Sequence, residues 1–321
     1  MTRSEKAILQ EKRRTEKEKK RRIELANKML IPVGDKTTQS LGLISFDPSG
    51  VFRLGNNVWL KIFTVNPAEI IAKDTMTKLS GSLRITWFLS ESGKVTCHLS
   101  LYEEGEVYEE VKEKFKADEE TLKATVTEMN VDEVMGRIGA NFYKDLRFSY
   151  ASYVRGKKDW KKECFHEISA KRADFKMGRL FGVSLEAIGY DDSLEPVDIE
   201  ALLNVGCPMY MTWHIKPLIG EDEIYFKRYM EKQYNRKLLG ENDDVFINQS
   251  LSISFFADSF DAKEIVESTL MSYFLKKGIL LVPAFGNQIK ETESNLSYGL
   301  IRNDFYRNVA IDAAVNMIGG V

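Results

Sequence analysis

The sequence is poor in the residues that mark several protein classes. Three cysteines, Cys97, Cys164 and Cys207, in 321 residues are too few for a disulfide framework and point to a reducing compartment. Histidine is as scarce, with His98, His166 and His214 alone. Each has a cysteine within seven residues. No CxxC or HxxxH spacing joins them, however, and His166-Glu167 lacks the second histidine of an HExxH site. Neighbours on a strand such as Cys97 and His98 point to opposite faces, so no metal ligand set is assigned. No apolar run approaches the roughly 18 residues of a spanning helix. The densest, 278–285 (GILLVPAF), is strand-sized and interrupted by Pro283. The charged start leads us to expect no secretory signal peptide. No internal repeat of fixed period is visible.

The sequence also lacks a phosphate-binding loop. GxxxxGK[ST] needs a glycine five residues before a Gly-Lys pair. The pairs Gly93-Lys94 and Gly156-Lys157 have Phe88 and Ala151 there. Neither a GxGxxG turn nor a GxSxG elbow occurs. No catalytic residue, cofactor-binding residue or cofactor is therefore assigned, and no ATP hydrolysis is expected from this chain.

What is present is a globular composition: 43% hydrophobic, 29% charged, with a net charge of -2. The charge is uneven. Residues 1–30 carry 11 basic and 5 acidic side chains, leaving 35 basic and 43 acidic beyond. A basic arm thus precedes an acidic body. Residues 5–30 contain no Gly or Pro, and no apolar residue lies between Leu9 and Ile23. This predicts a solvated helix ended by Pro32 and Gly34, too poor in apolar surface to serve as core. Its deletion is expected to leave the fold intact. Lys12, Arg13, Arg14, Lys19, Lys20, Arg21 and Arg22 are its candidate contacts to an anionic surface or acidic partner.

The body predicts an α+β fold of mixed layers. Strands are expected at 41–47 and 58–65, with a helix over 67–79 opened by Pro67. A hairpin follows from 83–89 and 94–101 around Glu91-Ser92-Gly93. Residues 106–138 read as helical, with Val107, Val111, Phe115 and Leu122 as a partial stripe. The segment 140–195 carries no clear pattern. Strand–helix–strand–helix–strand is expected over 207–282: strands at 207–215, 245–256 and 279–282, helices at 221–239 and 261–277. Asp261 is the expected cap of the last helix and Gly278 its stop. Ile265, Val266, Leu270 and Phe274 should be buried, and Lys263, Glu267 and Lys276 exposed. Strands 247–256 and 279–282 should be parallel neighbours or nearly so. Residues 1–34 form the extension and 35–321 the α+β domain, divisible into lobes 35–140 and 141–321.

Two other features bear on function. Asp191-Asp192 and Asp243-Asp244 are carboxylate pairs in polar loops; such pairs serve hydrolysis or, more commonly, simply form turns. Helix 221–239 interleaves Tyr225, Phe226, Tyr229 and Tyr234 with Lys227, Arg228, Lys232, Arg236 and Lys237. That pattern suits single-stranded nucleic acid, although aromatics on such a helix are more commonly its core face.

From about Pro208 onward the sequence resembles the N-terminal domain of the VirB4/TraC family of conjugation and type IV secretion ATPases. The resemblance rests on strand 245–256, on "LMSYFLKKG", "ILLVPAFGNQ" and "NLSYGLIRNDFYRNVAIDAAVNM", and covers about half the chain. Asn295-Leu296-Ser297-Tyr298-Gly299, Arg302, Arg307 and Ala313-Ala314 occupy comparable places, and 41–65 is similar to the family's N-terminal hairpin. The ATPase core of that family would begin about where this sequence stops. The resemblance implies a non-enzymatic interaction module of a bacterial conjugation or secretion machine, cytoplasmic and peripheral to the membrane. Its partners would be protein components at the inner membrane and a separate ATPase subunit. A nucleic-acid-binding accessory protein and a carboxylate-based hydrolase are the alternatives.

Overall fold

A computed structural model describes residues 43–47, 49–66, 78–90, 92–122, 126–134, 168–191, 194–218, 220–234, 246–296 and 307–318, with Lys17, Ile31, Pro32 and Met76. Within these residues the fold is α+β, built on one antiparallel sheet.

The first half begins with short strands β1 (Ile31–Pro32), β2 (Leu43–Phe46) and β3 (Phe52–Leu54). Then come β4 (Val58–Val65), β5 (Ser82–Leu89), β6 (Val95–Glu104), α1 (Tyr108–Leu122) and β7 (Val126–Glu128). The expected strand 58–65 and the hairpin of β5 and β6 are present. β7 falls inside a stretch expected to be helical. Its backbone is claimed by the edge of β4, where Val126 to Glu128 pair with Val65 to Phe63.

The second half runs β8 (Ile168–Ala170), β9 (Phe175–Met177), β10 (Leu180–Tyr190), α2 (Ile199–Leu203), β11 (Met209–Pro217), α3 (Glu221–Tyr234) and β12 (Phe246–Ala257). It ends with α4 (Phe260–Lys276), β13 (Ile279–Pro283), α5 (Gln288–Asn295), β14 (Arg307–Ala310) and α6 (Ile311–Ile318). The expected strand–helix order over 207–282 is present. β10, the longest strand after β12, is the element that the patternless segment concealed.

Two units of the same topology emerge from the pairing. In the first, β7, β4, β6 and β5 lie side by side in that order. In the second the order is β13, β10, β12, β11. Numbered within its unit, each is a 4-1-3-2 sheet, the split β-α-β arrangement of ferredoxin-like folds. Even the accessory strands correspond. β3 pairs with the beginning of β4 and β7 with its end, as β9 and β13 do on β10. The units join where β5 and β11 pair antiparallel, from Leu83↔Ile215 to Leu89↔Met209. Thr86↔Thr212 is the central pair of an approximate two-fold.

This topology corrects one expectation. β12 and β13 are parallel, since each is antiparallel to β10, but they are not neighbours: β10 lies between them. One glycine of the central strand β10 has a steric reason. A Cβ on Gly182 would lie 2.3 Å from the Phe175 ring.

One sheet face is apolar. Trp59, Phe63, Ile85, Leu99, Trp213, Ile253 and Val183 point into a core closed by Val111 and Phe115 of α1, Leu202 of α2, Val266, Leu270 and Phe274 of α4, and Met317 of α6. α4 departs from its expected detail. Ser259, not Asp261, is its N-cap, accepting from Ala262 N–H at 3.1 Å. Ile265 is 67% exposed while Lys263 is buried. The Lys263 stem lies along the protein and its ammonium reaches Glu267 at 3.7 Å and Asp174 at 3.9 Å. Gly278 does stop the helix, at φ +80°.

Candidate functional site

The basic residues Lys12, Arg13, Arg14, Lys19, Lys20, Arg21 and Arg22 lie outside the described residues, as do Cys164, His166, Asp192, Asp243 and Asp244. Asp191 is exposed just beyond β10, its N–H donating to Gly278 O at 2.8 Å. Cys97 faces the apolar core, where burial pushes its thiol up to about 12. His98 points to the opposite face, as neighbouring strand residues must. Among the described residues no three His, Cys, Asp or Glu side chains gather to hold a metal ion.

The second sheet face has a chemistry that sequence reasoning missed. Its residues are polar yet buried: Arg84, Thr86, His98, Ser100, Ser184, Thr212, His214, Ser250, Ser252 and Ser254. The polar helix α5 crosses part of this face. Gln288 clamps the backbone of Ser184, accepting from its N–H at 2.7 Å and donating to its carbonyl at 3.0 Å. Thr292 meets Ser184 Oγ at 2.7 Å. Asn295 bonds Ser254 and Ser252 through its side chain and accepts from Thr212 through its carbonyl. Beyond the last turn, the carbonyl of Leu296 accepts from the buried Arg84 guanidinium, the sign of charge that a helix C-terminus favours. α5 thereby stitches β10, β12 and β11 of the second unit to β5 of the first. Beside Arg84, His214 is fully buried and, among the described residues, neither ring nitrogen has a hydrogen-bond partner. Burial first, and the Arg84 charge second, hold its pKa well below the ordinary value.

A carboxylate pair does exist, but not where the sequence pointed. Glu103 on β6 and Asp118 on α1 share the Ser80 hydroxyl, at 2.6 and 3.1 Å. Burial, with the adjacent Asp118, pushes Glu103 up to about 7 against the Ser80 hydrogen bond and the Lys114 charge, which lower it. Both carboxylates are 2% exposed. The pair is sealed from substrate and ties α1 to the sheet.

Among the described residues, two surfaces remain open. A groove of about 480 Å³ runs between α4 and β13. Met271, Leu275, Leu280 and Leu281 supply its apolar wall, and Glu264 and Glu267 its acidic rim. Lys263 offsets Glu267, whose pKa burial nevertheless raises; Glu264 has no cation partner among the described residues. Of ten exposed large hydrophobic residues among the described residues, five lie from Phe260 to Phe285. No family model and no curated protein matches the sequence.

The other surface is α3, on which Ile224, Tyr225 and Tyr229 add three more exposed apolar side chains. Here the expectation that the aromatics form a core face is corrected. None of the described α3 side chains is buried. Of the aromatics whose side chains are described, Phe226 turns towards the body, meeting Phe246 edge-on at 5.2 Å.

Proposed function

We propose that this chain is a non-enzymatic interaction module of a bacterial conjugation or type IV secretion machine, working at the cytoplasmic face of the inner membrane beside a separate ATPase subunit. The groove between α4 and β13 carries the reading. It offers apolar surface rimmed by an unneutralised carboxylate, in the segment that most resembles the VirB4/TraC pre-motor domain. Its occupant is a protein component of the machine that presents an apolar side chain next to a lysine or arginine. Contiguous exposed apolar surface of this kind marks interaction sites, and depletion of charge at the centre with a charged rim is the anatomy of an interface.

A photo-crosslinking residue at Leu275 tests this in the native host. The expected result is a crosslink to a conjugation or secretion component, weakened by Glu264→Lys. Recovery of no such component, or equal crosslinking by the Glu264→Lys variant, overturns the proposal.

A further inference from the structure

The two units differ most in one connection. β5 and β6 are joined by the tight turn 90–94, in which Ser90 N–H donates to Lys94 O at 2.9 Å. The corresponding connection of the second unit, between β11 and β12, spans 218–245 and carries α3. The fold does not need this helix: the first unit closes without it, and none of the described α3 side chains is buried. Residues on rigidly supported connections are where binding groups concentrate.

From Tyr225 onward the outward stripe reads Tyr225, Arg228, Tyr229, Lys232, the i, i+3, i+4, i+7 spacing of one helix face. Tyr225 is 77% and Tyr229 54% exposed. Tyr229 is supported from below, its ring stacked on Phe226 at 6.5 Å, and Phe226 is in turn held by Phe246. Lys227 on the inner side is neutralised by Glu223 at 2.8 Å, whereas Arg228 and Lys232 have no carboxylate partner among the described residues. Two presented rings one turn apart, interleaved with two uncommitted cations, match a ligand that alternates flat rings with anionic groups.

We infer that α3 is a stacking platform for single-stranded nucleic acid, with Tyr225 and Tyr229 under successive bases and Arg228 and Lys232 on the phosphates. Stacking of this type is tolerant of sequence. A membrane surface fits less well, because interfacial helices keep their cations on the face opposite the inserted apolar residues, and here the two share one stripe.

The test is fluorescence anisotropy of the full chain with a labelled oligothymidine of about 20 nucleotides, from about 50 to 200 mM salt, where phosphate contacts give a measurable slope. Tyr225→Ala and Tyr229→Ala are each expected to weaken binding roughly 5- to 150-fold with the salt slope unchanged. The double variant Arg228→Ala/Lys232→Ala should lower the slope of log affinity on log salt by about 1.4, two phosphates at about 0.7 each. These side chains are exposed, so circular dichroism and the melting temperature should not move. Absence of binding at the lowest salt, tyrosine variants that bind like the parent, or tighter binding to duplex than to single strand each overturns the inference. So does tyrosine-dependent binding to vesicles containing phosphatidylglycerol without binding to the oligonucleotide.

Discussion

At the scale of single residues, the buried ionisable groups make opposite demands on pH. Glu103 keeps its proton through the mildly acidic range and gives it up around neutrality, with its pKa moved from 4.5 to about 7. A carboxyl with a raised folded pKa contributes stability below its unfolded value and loses it as pH rises through the folded one. Unfolding midpoints should therefore fall between about pH 4.5 and 7 from this group, and Glu103→Gln should flatten that part of the profile. At about 1.4 kcal/mol per pKa unit the effect lies within reach of urea titrations; an unchanged slope in the variant would refute it. His214 acts the other way. Its lowered pKa keeps it neutral, so its contribution is present above the ordinary value of 6.5 and is lost on acidification. Removing His214 by substitution with Phe should make acid unfolding begin at lower pH. Arg84 sets part of this balance. Arg84→Met leaves the Leu296 carbonyl without its charged donor, and should cost about 1.5–3 kcal/mol, the range for hydrogen bonds to charged groups.

At the scale of elements, α4 separates what a sequence reveals from what it conceals. Its length, its buried Val266, Leu270 and Phe274 and its glycine stop follow from 3.6-residue periodicity. Its cap does not. Ser259 and Asp261 are both chemically able, and only backbone geometry selects Ser259, extended at φ -138° and ψ 162°. Ser259→Ala should thus destabilise by about 1 kcal/mol through the lost cap, while Asp261→Ala costs less. Phe274→Ala should cost about 3–5 kcal/mol; thermal unfolding ranks the three. β12 was legible on one face only. Ile247, Leu251, Ile253 and Phe255 alternate as a half-buried strand requires, but Ser250, Ser252 and Ser254 on the other face are equally buried, beneath polar α5. Alternation of apolar and polar residues reads as a wet face, and nothing local announces a polar helix more than 30 residues further on. β10 was hidden for a related reason: Phe181, Val183, Leu185 and Ala187 alternate with Gly182, Ser184 and Glu186, but glycine, serine and glutamate in that row read as turn or surface residues, and the other face is buried too. The candidate sites were legible as residue types. That Tyr225 and Tyr229 face outward depends on α3 being an insertion, which only comparison of the two units reveals.

At the scale of the whole molecule, the two units share topology without any sequence repeat. Equivalent positions in a layered fold require only apolar or polar character and a suitable turn, so a doubled architecture can persist while residue identities diverge. The shared seam also means that neither unit is self-sufficient. Severing the chain and expressing residues 168–321 alone would expose β11 from Met209 to Pro217 as an edge lined with Met211, Trp213 and Ile215. Unprotected edges of this length pair with other chains. The isolated half should dimerise or aggregate on size-exclusion chromatography, and a stable monomer would show that β5 is dispensable.

The same seam has a mechanical consequence. With β5 and β11 antiparallel and paired over seven positions from Leu83↔Ile215 to Leu89↔Met209, a pull directed along the strands loads the whole ladder at once, whereas a pull across them opens it one rung at a time. Arg84 and α5 brace the end of the ladder nearest Ile215, leaving the Leu89–Met209 end to the Phe88–Tyr210 ring contact at 4.9 Å. A machine that tugged on this protein would meet a stiff plate in one direction and a tearable hinge in the other, with rupture starting at Phe88.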